Sequence, residues 1–208
     1  MHSQRSTVGL LLATGILFGI YPILRPYSDE VGVSGADAFA SPLWVAAHVS
    51  AMLGFVTLGL AVRAMNVGSV AEVTTWVGVG LVLPYYGAET FALNVLGSEA
   101  QDTGDLVYLA EPIRYGIVQT VMFGAGLLLI AVGAVAVALA VRRWQAWVFS
   151  AGFVLFLPQF FAPPSFRIAH GVLILVGALL LAVQYANARR VDDLRSSVVQ
   201  ESSTMTGA

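Results

Sequence analysis

IRYGIVQTVMFGAGLLLIAVGAVAVALAV, residues 113–141, is an almost unbroken apolar run whose single charged residue is Arg114. A helix rises about 1.5 Å per residue, so about 20 apolar residues cross the hydrocarbon core of a bilayer. This run is longer than one crossing requires, and it must tilt or extend past the bilayer. It is also too long and too uniformly apolar for the period-two alternation of a strand. Comparable runs occupy residues 8–24, 43–62, 73–96, 144–162 and 166–186. The sequence therefore predicts an all-α, polytopic transmembrane bundle of six helices within residues 1–190. Residues 191–208 are polar and rich in Ser and Thr, which predicts a disordered tail in the cytoplasm.

Composition agrees. Of the 208 residues, 58% are hydrophobic and only 11% charged, with a mean hydropathy of +0.81. A soluble domain carries about 25% charged residues, because most of its surface faces water. A net charge of −2 and the lack of any basic run exclude nucleic-acid binding. Cysteine is absent, which removes disulfides, thiolate metal sites, iron–sulfur clusters and covalent c-type haem. Lysine is absent too, so Schiff-base chemistry with retinal or pyridoxal is excluded. Arginine without lysine points to a GC-rich prokaryotic genome.

The arginines give an orientation. Arg5, Arg63, Arg142, Arg143, Arg189, Arg190 and Arg195 fall on one side of the six runs, and Arg25, Arg114 and Arg167 on the other. Seven against three places both termini in the cytoplasm of a plasma-membrane protein. Asp29, Glu30, Asp37, Glu99, Asp102, Asp105 and Glu111 then lie outside. Trp76, Trp144 and Trp147 anchor the inner interface and Trp44 the outer one. Ala38-Phe39-Ala40 has the form of a signal-peptidase tripeptide, but it lies too far from Leu24 for a normal cleavage region. The first run reads as a retained helix. Within the outer loop 97–111, Leu106 to Leu109 suit a short amphipathic helix on the membrane surface.

A repeat runs through these elements. Pro22, Pro84 and Pro158 stand toward the outer ends of the outward-running helices. Pro42, Pro112 and Pro164 stand near the start of the inward-running ones, and each is followed six or seven residues later by His48, Gln119 or His170. Three copies of one helical hairpin account for the pattern, as does chance in an apolar sequence. Gly15/Gly19, Gly80/Gly87 and Gly126/Gly133 are positions for close helix approach, within the chain or between copies in an oligomer.

Ionisable groups inside a bilayer cost about 2.5–3.5 kcal/mol on insertion scales and need a partner or a wet cavity. His48, Glu89 and His170 are such groups, and each falls about 9–12 Å below the outer boundary. Tyr85, Tyr86, Gln119, Gln159 and Arg167 share that outer layer, whereas the inner halves of the helices are Val, Leu, Ala and Gly. The candidate ligand-binding set is therefore His48, Tyr85, Glu89, Gln119, Gln159, Arg167 and His170.

Two imidazoles and a carboxylate form a common divalent-metal set, so His48, Glu89 and His170 are the candidate metal ligands. Alternatively His48 and His170 are the axial pair of a haem b. No HExxH motif, serine-nucleophile motif, phosphate loop or paired-aspartate motif is present. The functional expectation is a pocket near the extracytoplasmic face that binds a metal, a haem or another small ligand. The alternatives are a proton- or cation-coupled transporter using Glu89, a membrane enzyme acting on lipid or quinone, and a structural scaffold subunit.

Overall fold

The computed structural model describes residues 2–27, 33–99 and 103–206. Among the described residues there is helix and no strand. In chain order the helices are α1 (His2–Leu24), α2 (Val33–Ala40), α3 (Pro42–Met65), α4 (Ser69–Gly87), α5 (Leu93–Glu99), α6 (Thr103–Tyr115), α7 (Ile117–Val141), α8 (Trp144–Val154) and α9 (Pro164–Thr206). A π turn, Ala88–Ala92, joins α4 to α5, and a 3-10 turn, Pro158–Phe161, follows α8. Four helical stretches are long and apolar enough to cross a membrane: Arg5–Leu24, Pro42–Met65, Ile117–Val141 and Pro164–Ala188. Their outer faces carry exposed apolar residues at helical spacing, such as Leu128, Val132 and Leu139 on α7 and Val172, Val176, Leu179 and Val183 on α9. Such stripes suit hydrocarbon rather than water.

Three of the runs are less regular than their composition suggests. The run at 113–141 is not one helix: α6 ends at Tyr115, Gly116 is extended at φ −58° and ψ 145°, and α7 starts afresh at Ile117. The run at 144–162 keeps its α-helix only to Val154. Pro158 has no N–H to give to the Val154 carbonyl four residues earlier, so the ladder stops there and tightens into the 3-10 turn. The run at 73–96 is α4, the π turn and α5 laid end to end. At the other extreme, α9 runs unbroken from Pro164 to Thr206.

The helices close into a ring in which α1 contacts α3 and α9, α4 contacts α3 and α7, and α8 contacts α7 and α9. Side-chain contacts fix the directions. Thr7 bonds the Ala64 carbonyl and Thr14 bonds Thr57, so α1 and α3 are antiparallel. Thr75 lies against Gly133 and Tyr85 stacks on Phe123, so α4 and α7 are antiparallel. Phe149 meets Gly177 and Gly152 meets Ile174, which makes α8 and α9 antiparallel as well. The middle of the ring is filled by Phe18, Phe55, Phe153 and Phe156. A second, smaller core of Phe39, Trp44, Leu93, Leu106 and Ala110 forms where α2, α5 and α6 cover one end. Leu106 is thus buried in that cap, while Tyr108 and Leu109 of the same helix are exposed. Phe39 of the Ala38-Phe39-Ala40 tripeptide is fully buried inside α2.

Apolar surface gains little by leaving lipid, so close packing and hydrogen bonds must hold such helices together. The tightest seam is α4 against α7, where a side chain at Gly126 would meet Val82 at 2.7 Å and the Gly78 carbonyl at 2.8 Å. Gly15 and Gly19 seat α1 on Leu175 and Ala178 of α9 in the same way. Gly80 and Gly87 have nothing within 4 Å, so close approach on α4 belongs to Gly78 instead. Gly124, two residues before Gly126 and on another side of α7, borders open space. Gly126→Leu is therefore expected to destabilise the bundle by about 1–3 kcal/mol through overpacking, whereas Gly124→Leu leaves thermal unfolding in detergent unchanged. Equal effects of the two variants would contradict this packing.

Candidate functional site

Sequence places His48 two turns into α3, behind a helix start built by Ser41 and Pro42. Its ring is 2% exposed and lies 4.2 Å from the Trp44 ring, centroid to centroid. The Nδ1–H donates to the Trp44 carbonyl at 2.7 Å, since a carbonyl can only accept. That fixes the tautomer of the neutral ring and turns Nε2 toward Glu89, whose Oε2 is 3.9 Å away.

Glu89 owes its position to the π turn. In a regular helix its carbonyl would receive the N–H of Leu93, but that N–H reaches back five residues to Ala88. The Trp44 indole N–H takes up the Glu89 carbonyl instead, at 2.6 Å. Trp44 therefore holds both members of the pair, one through its carbonyl and the other through its indole. The π turn directs the Glu89 carboxylate inward, where the residue is only 4% exposed. Single π turns inside helices often mark functional positions for this reason.

The charge on Glu89 is matched by Arg114, from the last turn of α6. Arg114 donates from Nε to Glu89 Oε1 at 2.8 Å, and both side chains are buried. The guanidinium also lies over the rings of Phe39 and Tyr115, with centroids at 5.6 and 5.2 Å. Arg25 sits over the Trp44 ring at 5.0 Å. Glu89 Oε2 and the Tyr86 hydroxyl are buried without a close, well-aligned hydrogen bond in the protein, although Tyr85 and His48 stand near Glu89 and Tyr21 stands near Tyr86. These groups line one cavity of about 450 Å³ with Tyr21, Tyr85, Phe123, Phe160 and Arg167.

The cavity gathers only part of the set expected from sequence. His48, Tyr85, Glu89 and Arg167 line it. Arg167 does not reach His170; it donates from Nε to the Ala162 carbonyl at 3.0 Å and from Nη2 to the Phe160 carbonyl at 2.7 Å, tying down the end of the 3-10 turn. Gln119 donates to the Pro112 and Ile113 carbonyls, spanning the break at Gly116, and faces a separate apolar notch beside Tyr85. Gln159 is buried beside a narrow cleft with Pro22 and His170. His170 itself donates Nε2–H to the Gly152 carbonyl at 2.7 Å and rests its ring on Phe156.

The three-ligand metal set is therefore corrected. Among the described residues no group of three His, Cys, Asp or Glu side chains assembles, because His170 is held against α8. The Nε2 of His170, which would meet iron in an axial haem pair, is engaged by the Gly152 carbonyl here. Arg25, Arg114, Tyr21 and Phe123 belong to the cavity without having been singled out as site residues. A buried carboxylate in this layer needs a cation, and only Arg25, Arg114 and Arg167 lie on its side of the chain. That constraint was available in the sequence.

Searches against protein-family models, curated proteins and solved structures find no match to this chain.

Removing one member of a buried ion pair strands the other charge, at a cost of about 3–5 kcal/mol. Arg114→Met is thus expected to lower the unfolding temperature sharply, and Glu89→Met combined with Arg114→Met to recover most of the loss. A double variant as unstable as Arg114→Met alone would show that the two side chains are not coupled.

Proposed function

We propose that this chain is a six-crossing protein of a prokaryotic plasma membrane, with both termini cytoplasmic, and that its cavity binds a small ligand from the extracytoplasmic side. Four helices have the length and hydropathy of membrane spans. The two further crossings are α4 with its π turn and α5, which runs antiparallel beside α7, and α8 with its 3-10 turn, beside α9. Alternation of direction around the ring supports that count. The arginine distribution supports the orientation: Arg63 closes α3 and Arg142 and Arg143 fill the turn between α7 and α8, all at the end away from the cavity.

One observation carries the binding reading. Glu89 Oε2 and the Tyr86 hydroxyl line the same cavity, buried and without a close, well-aligned hydrogen bond in the protein, beside the His48 ring. An unsatisfied buried polar group costs about 1–3 kcal/mol, and two in one cavity are what a polar ligand would satisfy. Conduction through the bundle fits less well. Below the cavity, Phe18 contacts Phe55 and Phe156 at 4.9 and 5.4 Å, and Phe55 contacts Phe156 at 5.3 Å, closing the route inward.

Because the chain has no cysteine, single cysteines report topology directly. In intact cells Thr120→Cys is expected to react with a membrane-impermeant maleimide, and Asn66→Cys only after permeabilisation. In purified protein, mass spectrometry is expected to find a co-purifying small molecule that is lost from a Glu89→Leu, His48→Leu variant still inserted in the membrane. The same molecule retained by that variant would sink the binding proposal.

A further inference from the structure

The cavity is layered along the bundle. Glu89, Arg114, Tyr115 and Arg25 lie toward the capped end, and Tyr86, Phe123, Gly124, Leu157 and Phe160 lie toward the aromatic floor. Its wall is not continuous. Phe161 and Tyr115, both lining residues, are 87% and 63% exposed, and Thr120 is exposed one turn before Gly124. A side chain at Gly124 would meet nothing within 4 Å, although Gly126 two residues on is tightly packed. The opening therefore runs down the seam between α7 and the turn that joins α8 to α9. From Ile117 to Gly124 it descends about 10 Å along the helix. The neighbouring residues on α7, Ile117, Val118 and Val121, are strongly exposed and apolar. A mouth bordered in this way faces hydrocarbon as much as water.

Charge around the cavity is unequally matched. Glu89 and Arg114 form a neutral pair. Arg167 spends its two hydrogen bonds on uncharged carbonyls, which hold the guanidinium at the cavity without neutralising it. No carboxylate among the described residues pairs with it. Glu89 Oε2 asks for a donor, and the Tyr86 hydroxyl can give or accept a bond. An anionic group at Arg167 with a hydroxyl reaching Glu89 would answer these demands together, and an apolar body would lie on Phe123 and Phe160.

Building on the binding role argued above, we infer that the cavity takes a lipid amphiphile from the outer leaflet. Its anionic, hydroxyl-bearing head sits at Arg167 and Glu89, and its chain leaves through the seam past Gly124. Head and chain then keep the orientation they have in the bilayer, so the molecule enters sideways without inverting.

The test uses the purified full chain in neutral detergent micelles, titrated with three probes. They are 1-palmitoyl-lysophosphatidylglycerol, glycerol phosphate as the head alone, and 1-palmitoylglycerol as the same chain on an uncharged head. The lysophospholipid is expected to bind about tenfold or more tighter than either of the others. Gly124→Leu, which plugs the seam, is expected to weaken it by at least about tenfold, while Gly124→Ala retains binding. Arg167→Gln is expected to erase the preference over 1-palmitoylglycerol. Glycerol phosphate binding as tightly as the lysophospholipid, unaffected by Gly124→Leu, would overturn the lipid assignment and leave the pocket as a site for a soluble anion. Failure of all three probes to bind wild-type protein, while a co-purified molecule is still lost from the Glu89 and His48 variant, would also overturn it. Failure of both assays would remove the binding role itself.

Discussion

The ion pair between Glu89 and Arg114 is the constraint around which the outer half of this protein is arranged. A carboxylate buried in a low-dielectric interior is several kcal/mol less stable than in water, and only a close, well-oriented cation offsets that. Here the cation is 25 residues away in sequence and reaches Oε1 at 2.8 Å. To deliver it, the chain interrupts its longest apolar run at Gly116 and ends α6 over the bundle rather than continuing a straight span. To receive it, α4 gives up regular geometry for a π turn. Two local departures from ideal helix thus have one cause.

Trp44 links that pair to the rest of the fold. Its ring is fully buried in the cap formed by α2, α5 and α6, its indole holds the π turn, and its carbonyl orients His48. The cap and the polar groups beneath it therefore stand or fall together. The inner part of the bundle is organised differently, by interlocking phenylalanines and glycine seams with a few threonine hydrogen bonds between α1 and α3. The division explains why the polar cavity lies at the capped end: polar groups demand specific partners and leave gaps, whereas apolar side chains of varied size pack the middle of the ring.

Much of this was legible in the sequence. Apolar runs gave the all-helical, membrane-compatible architecture, because hydropathy over 20 residues is set by composition and not by tertiary detail. Depth counting brought His48, Glu89, Tyr85 and Arg167 to one level, and they share a cavity. Depth says nothing of azimuth, however, and His170 lies at the expected level but faces α8. Gln119 failed for a related reason: its helix starts later than its hydropathy suggests, so it serves the break rather than the cavity. The π turn has no compositional signature, and without it the inward aim of Glu89 could not be read. Gly80 and Gly87 show that spacing alone does not distinguish a packed glycine from one facing open space.

Proximity of Glu89 and Arg114 is the point on which the account turns, and a cysteine-free chain allows it to be measured in the membrane. Cysteines placed at both positions replace the whole pair, which a buried site tolerates better than the loss of one partner. A short bifunctional thiosulfonate is expected to join residues 89 and 114 within one chain and to leave a control pair at 89 and 170 unlinked. Efficient linkage of the control pair with none between 89 and 114 would contradict the account.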